Sequence, residues 1–142
     1  MVLALAVVAG LALAALTPAD WDVDFKLHLE FKYPKGSNSG IYLRGRYEVQ
    51  IQDDYGKEPG NRYMPGVYGF LTPTENAARK AGEWQTMDII FKAARFDQDG
   101  NKTAHAKLVE VVHNGRVIQE NVEVPWACGP NWDRKQFPRG PV

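Results

Sequence analysis

The sequence is poor in the features that mark most functional classes. It has one cysteine, Cys128, in 142 residues. A single thiol excludes an internal disulfide and any thiolate-rich metal cluster, and it reads as a partly buried, inert side chain. An excess of charge is missing too. Lys and Arg number 17, Asp and Glu 17, and no basic run is offered to phosphates. Nucleic acid is therefore excluded as a partner. The histidines, His28, His105 and His113, are scattered rather than spaced as metal ligands. No Ser/His/Asp set, phosphate-binding glycine loop or zinc motif is present.

Long apolar runs are also absent. The one candidate is Met1 to Leu16, entirely apolar apart from Gly10, and a bilayer-spanning helix needs about 20 residues. The run suits the core of a secretory signal, and Ala12-Leu13-Ala14 offers a small-residue cleavage site. No Lys or Arg precedes Lys26, so the usual positive start is lacking. The expectation is a signal peptide or N-terminal apolar segment over residues 1–16. The protein would then be secreted or periplasmic in a bacterium, with no membrane span once processed. A lipid-anchored or uncleaved helix, or a fragment whose start lies upstream, are the alternatives. Helical periodicity is the last absence. Only Thr74 to Ala81 could form a helical turn or two, with Thr74 as its cap.

What the chain does have is a period of two, the signature of strands with one buried face. Val23, Phe25, Leu27, Leu29 and Phe31 line one side of a long strand, and Lys26, His28, Glu30 and Lys32 the other. Tyr33-Pro34-Lys35-Gly36 ends it. From Trp84 to Phe91, Gln85, Met87, Ile89 and Phe91 oppose Trp84, Thr86 and Asp88. Ala104 to His113 and Val117 to Val124 form a hairpin through Asn114-Gly115, whose residues tolerate the positive φ of a type I′ turn. Asp97-Gln98-Asp99-Gly100-Asn101 reads as a hairpin tip, because the spacing and terminal Glu of a calcium-binding loop are missing. Asp53 to Pro73 is a long loop holding Tyr55, Tyr63 and Tyr68, and loops of that length are often functional. Beyond Pro125 the strand period stops. Six or so strands with regular turns predict an all-β fold, an antiparallel β-sandwich or jelly roll.

The most informative stretch is Asn38 to Asp54. Ile41, Leu43, Tyr47, Val49 and Ile51 form an apolar face. The opposite face carries Tyr42, Arg44, Glu48, Gln50 and Gln52, groups that make directional hydrogen bonds. That is a composition suited to gripping a polyhydroxylated ligand, although a plain solvated face has the same period. The run Asn38-Ser39-Gly40-Ile41-Tyr42-Leu43-Arg44, followed by Tyr47-Glu48-Val49-Gln50-Ile51, resembles the signature of the 3-keto-disaccharide hydrolase family. Phe25 to Phe31, Val67-Tyr68-Gly69, Gly82-Glu83-Trp84 and Asn114-Gly115 are similar to flanking family elements in the same order. The resemblance covers roughly residues 21 to 125 and implies a concanavalin-like jelly roll, related to laminin-G and glucanase domains, that acts on sugars. Three departures stand out: Gln85 where the family has Asn, little chain before the Phe25 strand, and no closing strand after the final Gly-Pro. Residues 17–142 are thus expected to be a family-like domain shortened at both ends.

The resemblance implies cleavage of a glycosidic bond in a 3-keto sugar. The ketone acidifies the hydrogen on C2, so a base can make an enolate that expels the C1 oxygen. Such a site needs a base, a donor at the enolate and an acid for the leaving group. Glu30, Arg44 and Glu48 are the candidate catalytic residues, with a carboxylate as base or acid and Arg44 at the enolate. His28, Asn38, Tyr42, Gln50, Tyr68 and Trp84 are the candidate substrate-binding residues. No cofactor is assigned, and a divalent metal is left open. The expected partner is an oxidised di- or oligosaccharide. A non-catalytic carbohydrate-binding module on the same scaffold is the rival from a different class, since fold alone does not decide function.

Overall fold

The computed structural model describes the backbone of residues 3–8 and all of residues 24–128. The expected cleavage site at Ala12-Leu13-Ala14, the start of the first long strand at Val23 and the chain beyond Cys128 lie outside the described residues. Nine strands are described: β1 (Leu3–Val8), β2 (Phe25–Phe31), β3 (Asn38–Leu43), β4 (Tyr47–Gln52), β5 (Gln85–Lys92), β6 (Arg95–Phe96), β7 (Lys102–Ala104), β8 (Ala106–His113) and β9 (Arg116–Val124). Five of them form one sheet in the order β1-β2-β5-β8-β9. Its pairs are antiparallel except β1 with β2. β1 falls within the apolar segment read as a leader, and its backbone runs along the outer edge of β2.

The β3–β4 hairpin forms a second sheet. The backbone around Val67 extends it: Val49 bridges to Val67, and Gly66 O and Tyr68 N bond to Gln50 N and Glu48 O. The core lies between the two sheets. Phe25, Leu29 and Phe31 from β2, Met87, Ile89 and Phe91 from β5, and Leu43, Tyr47 and Val49 from the hairpin are all buried in it. Phe91 sits at the centre, with ring centroids 5.1 Å from Phe25 and 5.5 Å from Tyr47. The period-two expectation holds on β2 and β5, whereas register shifts break it on β8 and β9 and β4 is buried on both faces from Tyr47 to Gln50. The fold is an antiparallel β-sandwich of the jelly-roll type.

Two turns follow from local chemistry. Asn114 and Gly115 both have positive φ, 50° and 81°, and join β8 to β9 in two residues. At the tip between β6 and β7, the Asp97 carboxylate accepts from the N–H groups of Asp99 and Asn101.

The helical turn expected over Thr74 to Ala81 does not form. Its polar groups are used by tertiary partners instead. Thr74 donates to Ile118 O through both its N–H and its hydroxyl, at 2.9 and 3.1 Å. Asn76 Nδ2 donates to Asp54 O and Lys57 O. Arg79 O accepts from the Tyr33 hydroxyl and from Gln85 Nε2. These tertiary bonds offer the segment an alternative to local helical bonding.

Candidate functional site

The hairpin builds the site. Its register sets Asn38 opposite Gln52, Gly40 opposite Gln50 and Tyr42 opposite Glu48. These six share the face turned away from the core, because Leu43, Tyr47 and Val49 take the inner one. The Tyr42 hydroxyl donates to Glu48 Oε1 at 2.8 Å. Glu48 is 6% exposed and Tyr42 39%, so a buried carboxylate lies beside a half-open phenol. Burial pushes the Glu48 carboxyl above its ordinary range, and the Tyr42 hydrogen bond pulls it partly back. Burial, together with the bond to Glu48 and its charge, pushes the Tyr42 phenol up to about 12. The phenol therefore stays a donor at neutral pH.

Two more groups border this pair. Tyr68 is held alongside by its N–H bond to Glu48 O at 3.0 Å, and its phenol adds to the upward shift of Tyr42. The Cys128 thiol accepts from the Glu48 N–H, and burial pushes it up to about 11. Cys128 N donates to Arg46 O at 2.9 Å, which ties this segment to the hairpin turn.

Further along β4 the same face is closed over. Gln50 Nε2 donates to Gln52 Oε1 at 3.0 Å and to Arg62 O at 3.3 Å. Gln52 Nε2 donates to Asp54 Oδ1 at 3.0 Å. Asp54, wholly buried, also accepts from Lys57 Nζ at 2.7 Å and Met64 N at 2.8 Å. This ladder anchors the long loop over the closed end. Aromatics stand on that loop, Tyr55 and Tyr63 exposed and Tyr68 half-buried, with Lys57 over Tyr63, Arg62 over Tyr68 and Lys80 over Tyr55, at 5.0 to 6.0 Å from the ring centroids.

The sequence-predicted residues divide between two faces. Asn38, Tyr42, Glu48, Gln50 and Tyr68 gather at the hairpin. Asn38 is exposed at the start of β3, whereas Gln50 lies under the loop with its amide nitrogen committed. Gln50 is therefore not a group that meets a sugar from solvent. Arg44 is not the strand residue that alternation predicts. The strand ends at Leu43, and Arg44 and Gly45 turn the chain with φ of 54° and 63°. Arg44 is buried there, and its guanidinium draws the Tyr47 phenol down against the burial that holds it near about 12.

His28, Glu30 and Trp84 lie elsewhere. β2 pairs with β5, and its even-numbered residues face outward from the large sheet, on the side opposite the core. There His28 Nδ1 bonds Asp88 Oδ1 at 2.6 Å, and His28 Nε2 stands 4.0 Å from Glu30 Oε1. Trp84, 48% exposed, lies under Lys32 Nζ at 5.2 Å. The candidate residues, grouped as one site from sequence, thus lie on two faces separated by the core. The period of two reveals that each strand has a polar side, but not which sheet each strand joins.

Sequence reasoning missed Gly40, Asp54 and the placement of Cys128 against Glu48. Gly40 sits in the signature run and carries no side chain to signal a role. Cys128 is brought in by tertiary folding from a segment with no periodicity. Among the described residues, no three His, Cys, Asp or Glu side chains are grouped so that they could hold a metal ion. No helix among them is long and apolar enough to cross a membrane.

Comparison with known proteins places this jelly-roll sandwich, with its carboxylate–phenol pair on a polar hairpin face, among glycosyl hydrolase-like domains. A crystal structure from Parabacteroides distasonis, described provisionally as a glycosyl hydrolase, matches with 34% identity and a TM-score of 0.70 over 83% of this chain. The match takes in 54% of that protein, so this chain spans about half its length. A second structure from the same organism, described in the same terms, matches with 25% identity and a TM-score of 0.49, over 82% of this chain and 64% of its own. No match is found among curated proteins. The profile of the 3-keto-alpha-glucoside-1,2-lyase-like domain matches residues 14–142, and the chain belongs to that family.

Proposed function

We propose that this protein cleaves the glycosidic bond of 3-keto sugars by elimination, with Glu48 as the base. The observation that carries this reading is the Tyr42–Glu48 pair, a buried carboxyl raised above its usual range beside a phenol that stays protonated. A carboxylate made more basic by burial is suited to taking a carbon-bound proton. Glu48 takes the proton from C2, and the electron pair of the C2–H bond moves to the C3 oxygen as the enolate. Collapse of the enolate breaks the C1–O bond, and the departing oxygen takes a proton to leave as an alcohol. Water adding across the resulting C1–C2 double bond, oxygen at C1 and hydrogen at C2, completes hydrolysis. Tyr42 supplies the donor for the developing charge, and Asn38 and Tyr68 border the sugar. Family membership supports the sugar class. The apolar N-terminal segment supports export, which N-terminal sequencing of the secreted protein tests: a start after Ala14 fits, and an intact Met1 does not.

The reading is tested by incubating the protein in deuterated water with a 3-keto disaccharide and, separately, the parent disaccharide. Cleavage of the keto sugar alone, with deuterium at C2 of the product, is expected. Equal cleavage of both sugars would replace elimination by direct hydrolysis. The exposed aromatics Tyr42, Tyr55 and Tyr63 favour a second reading, a carbohydrate-binding module. Saturable binding of sugar with no turnover of either would select it.

A further inference from the structure

Gly40 lies within β3 without serving the backbone. Seven other glycines of the described chain have positive φ, the usual reason for glycine in a fold. Gly40 is not among them, and it pairs in register with Gln50. Its φ is one that any residue adopts. Glycine inside a strand weakens it and often marks a close approach.

Here the approaching group is Glu48. A Cβ built on Gly40 would collide with Glu48 Oε1 and lie 2.8 Å from its Cγ and 3.0 Å from its Cδ. The three nearest atoms all belong to that one side chain. Oε1 is also the atom that accepts the Tyr42 hydroxyl. The carboxylate therefore lies across Gly40, from one strand of the hairpin onto the other.

We infer that Gly40 is a positioning residue: its missing side chain is the seat that holds the Glu48 carboxylate against the Tyr42 hydroxyl. The role of Glu48 as base rests on the function proposed above, but the seat itself does not. The obstructing atoms end a flexible side chain and are not backbone. A methyl at position 40 is therefore accommodated by moving Glu48, and the fold is kept. The displaced carboxylate moves towards solvent and loses the Tyr42 bond. The other titratable groups bordering the pair, Tyr68 and Cys128, stay where they are.

The test is Gly40→Ala, read first by carboxyl-carbon NMR titration of Glu48 in the intact chain. The expected result is a folded protein in which the Glu48 carboxyl falls towards its ordinary value of 4.5 and the Tyr42 phenol falls from about 12 towards 10.0. If Glu48 is the base, kcat falls by about 100-fold, with KM little changed and the pH profile moved the same way. Unaltered titration of Glu48 in folded Gly40→Ala would overturn the seat. Loss of folding in Gly40→Ala is decided by the pair Glu48→Ala and Gly40→Ala/Glu48→Ala. Equal urea midpoints in that pair uphold the seat, and the same loss on adding Gly40→Ala refutes it. A protein that turns over no sugar fails the proposed function, yet the titration still decides the seat.

Discussion

Acid should destabilise this protein through His113. The imidazole is fully buried, stacked on Phe31 with ring centroids 6.2 Å apart. Nε2 lies 2.9 Å from Gln85 Oε1, a carbonyl acceptor, so Nε2 carries the proton. Nδ1 is buried without a partner. Protonation would place a charge in the core and create a donor with nothing to accept it. Burial, with Arg79 adding repulsion, lowers the group from 6.5 to about 4.

The sign follows from linkage. Above pH 6.5 the imidazole is neutral in both folded and unfolded chains and costs nothing. As pH falls from 6.5 to about 4, the unfolded chain takes up the proton and the folded chain does not, so stability is lost across that window. At about 1.4 kcal/mol per pH unit the loss by pH 4 is about 3 kcal/mol, a sizeable fraction of a typical domain's stability. Urea unfolding at pH 7, 5.5 and 4, for wild type and His113→Gln, isolates it. Gln is neutral throughout and still offers Gln85 a donor. The difference between the two proteins should shift by about 3 kcal/mol in favour of the variant between pH 7 and pH 4. Parallel pH dependence would refute the reasoning.

Asp54→Ala should cost about 3 kcal/mol, because Met64 N–H and the Gln52 amide lose their buried acceptor; a thermal melt lowered by about 10 °C checks it. Asn114→Ala should cost about 2 kcal/mol in denaturant titration. It keeps a positive φ of 50° without the side chain that bonds Thr86 N, Ala77 O and Gln85 Oε1; Asn114→Gly should lose less by sparing the strain. Cys128, buried and raised to about 11, should react with a thiol reagent at pH 8 only as fast as the protein opens, so the rate should rise steeply with urea.

Where the sequence was legible, local physics sufficed. Asn114-Gly115 encodes its own turn, and the alternation in Gln85 to Phe91 names the buried side chains one by one. The polar hairpin face was legible for the same reason, since strand periodicity sets Tyr42 and Glu48 against the apolar Leu43 and Val49. What failed depended on long-range partners. Thr74 to Ala81 has helical composition, but Ile118, Tyr33 and Gln85 use its polar groups. His28, Glu30 and Trp84 carry suitable chemistry, but β2 pairs with β5, and that choice sends them to the far face. Arg44 continued an alternating pattern that the chain ended one residue earlier by turning. Gly40 shows the reverse case, since its meaning lies in a side chain on the neighbouring strand.

The central claim is that the base lies on the hairpin face and not on the large sheet. Its direct test compares turnover of a 3-keto disaccharide by Glu48→Gln and Glu30→Gln, each confirmed folded by circular dichroism and melting. Glu48→Gln should lose between about 10² and 10⁴ in kcat, while Glu30→Gln should turn over like wild type. Full activity in Glu48→Gln, or loss confined to Glu30→Gln, would contradict it.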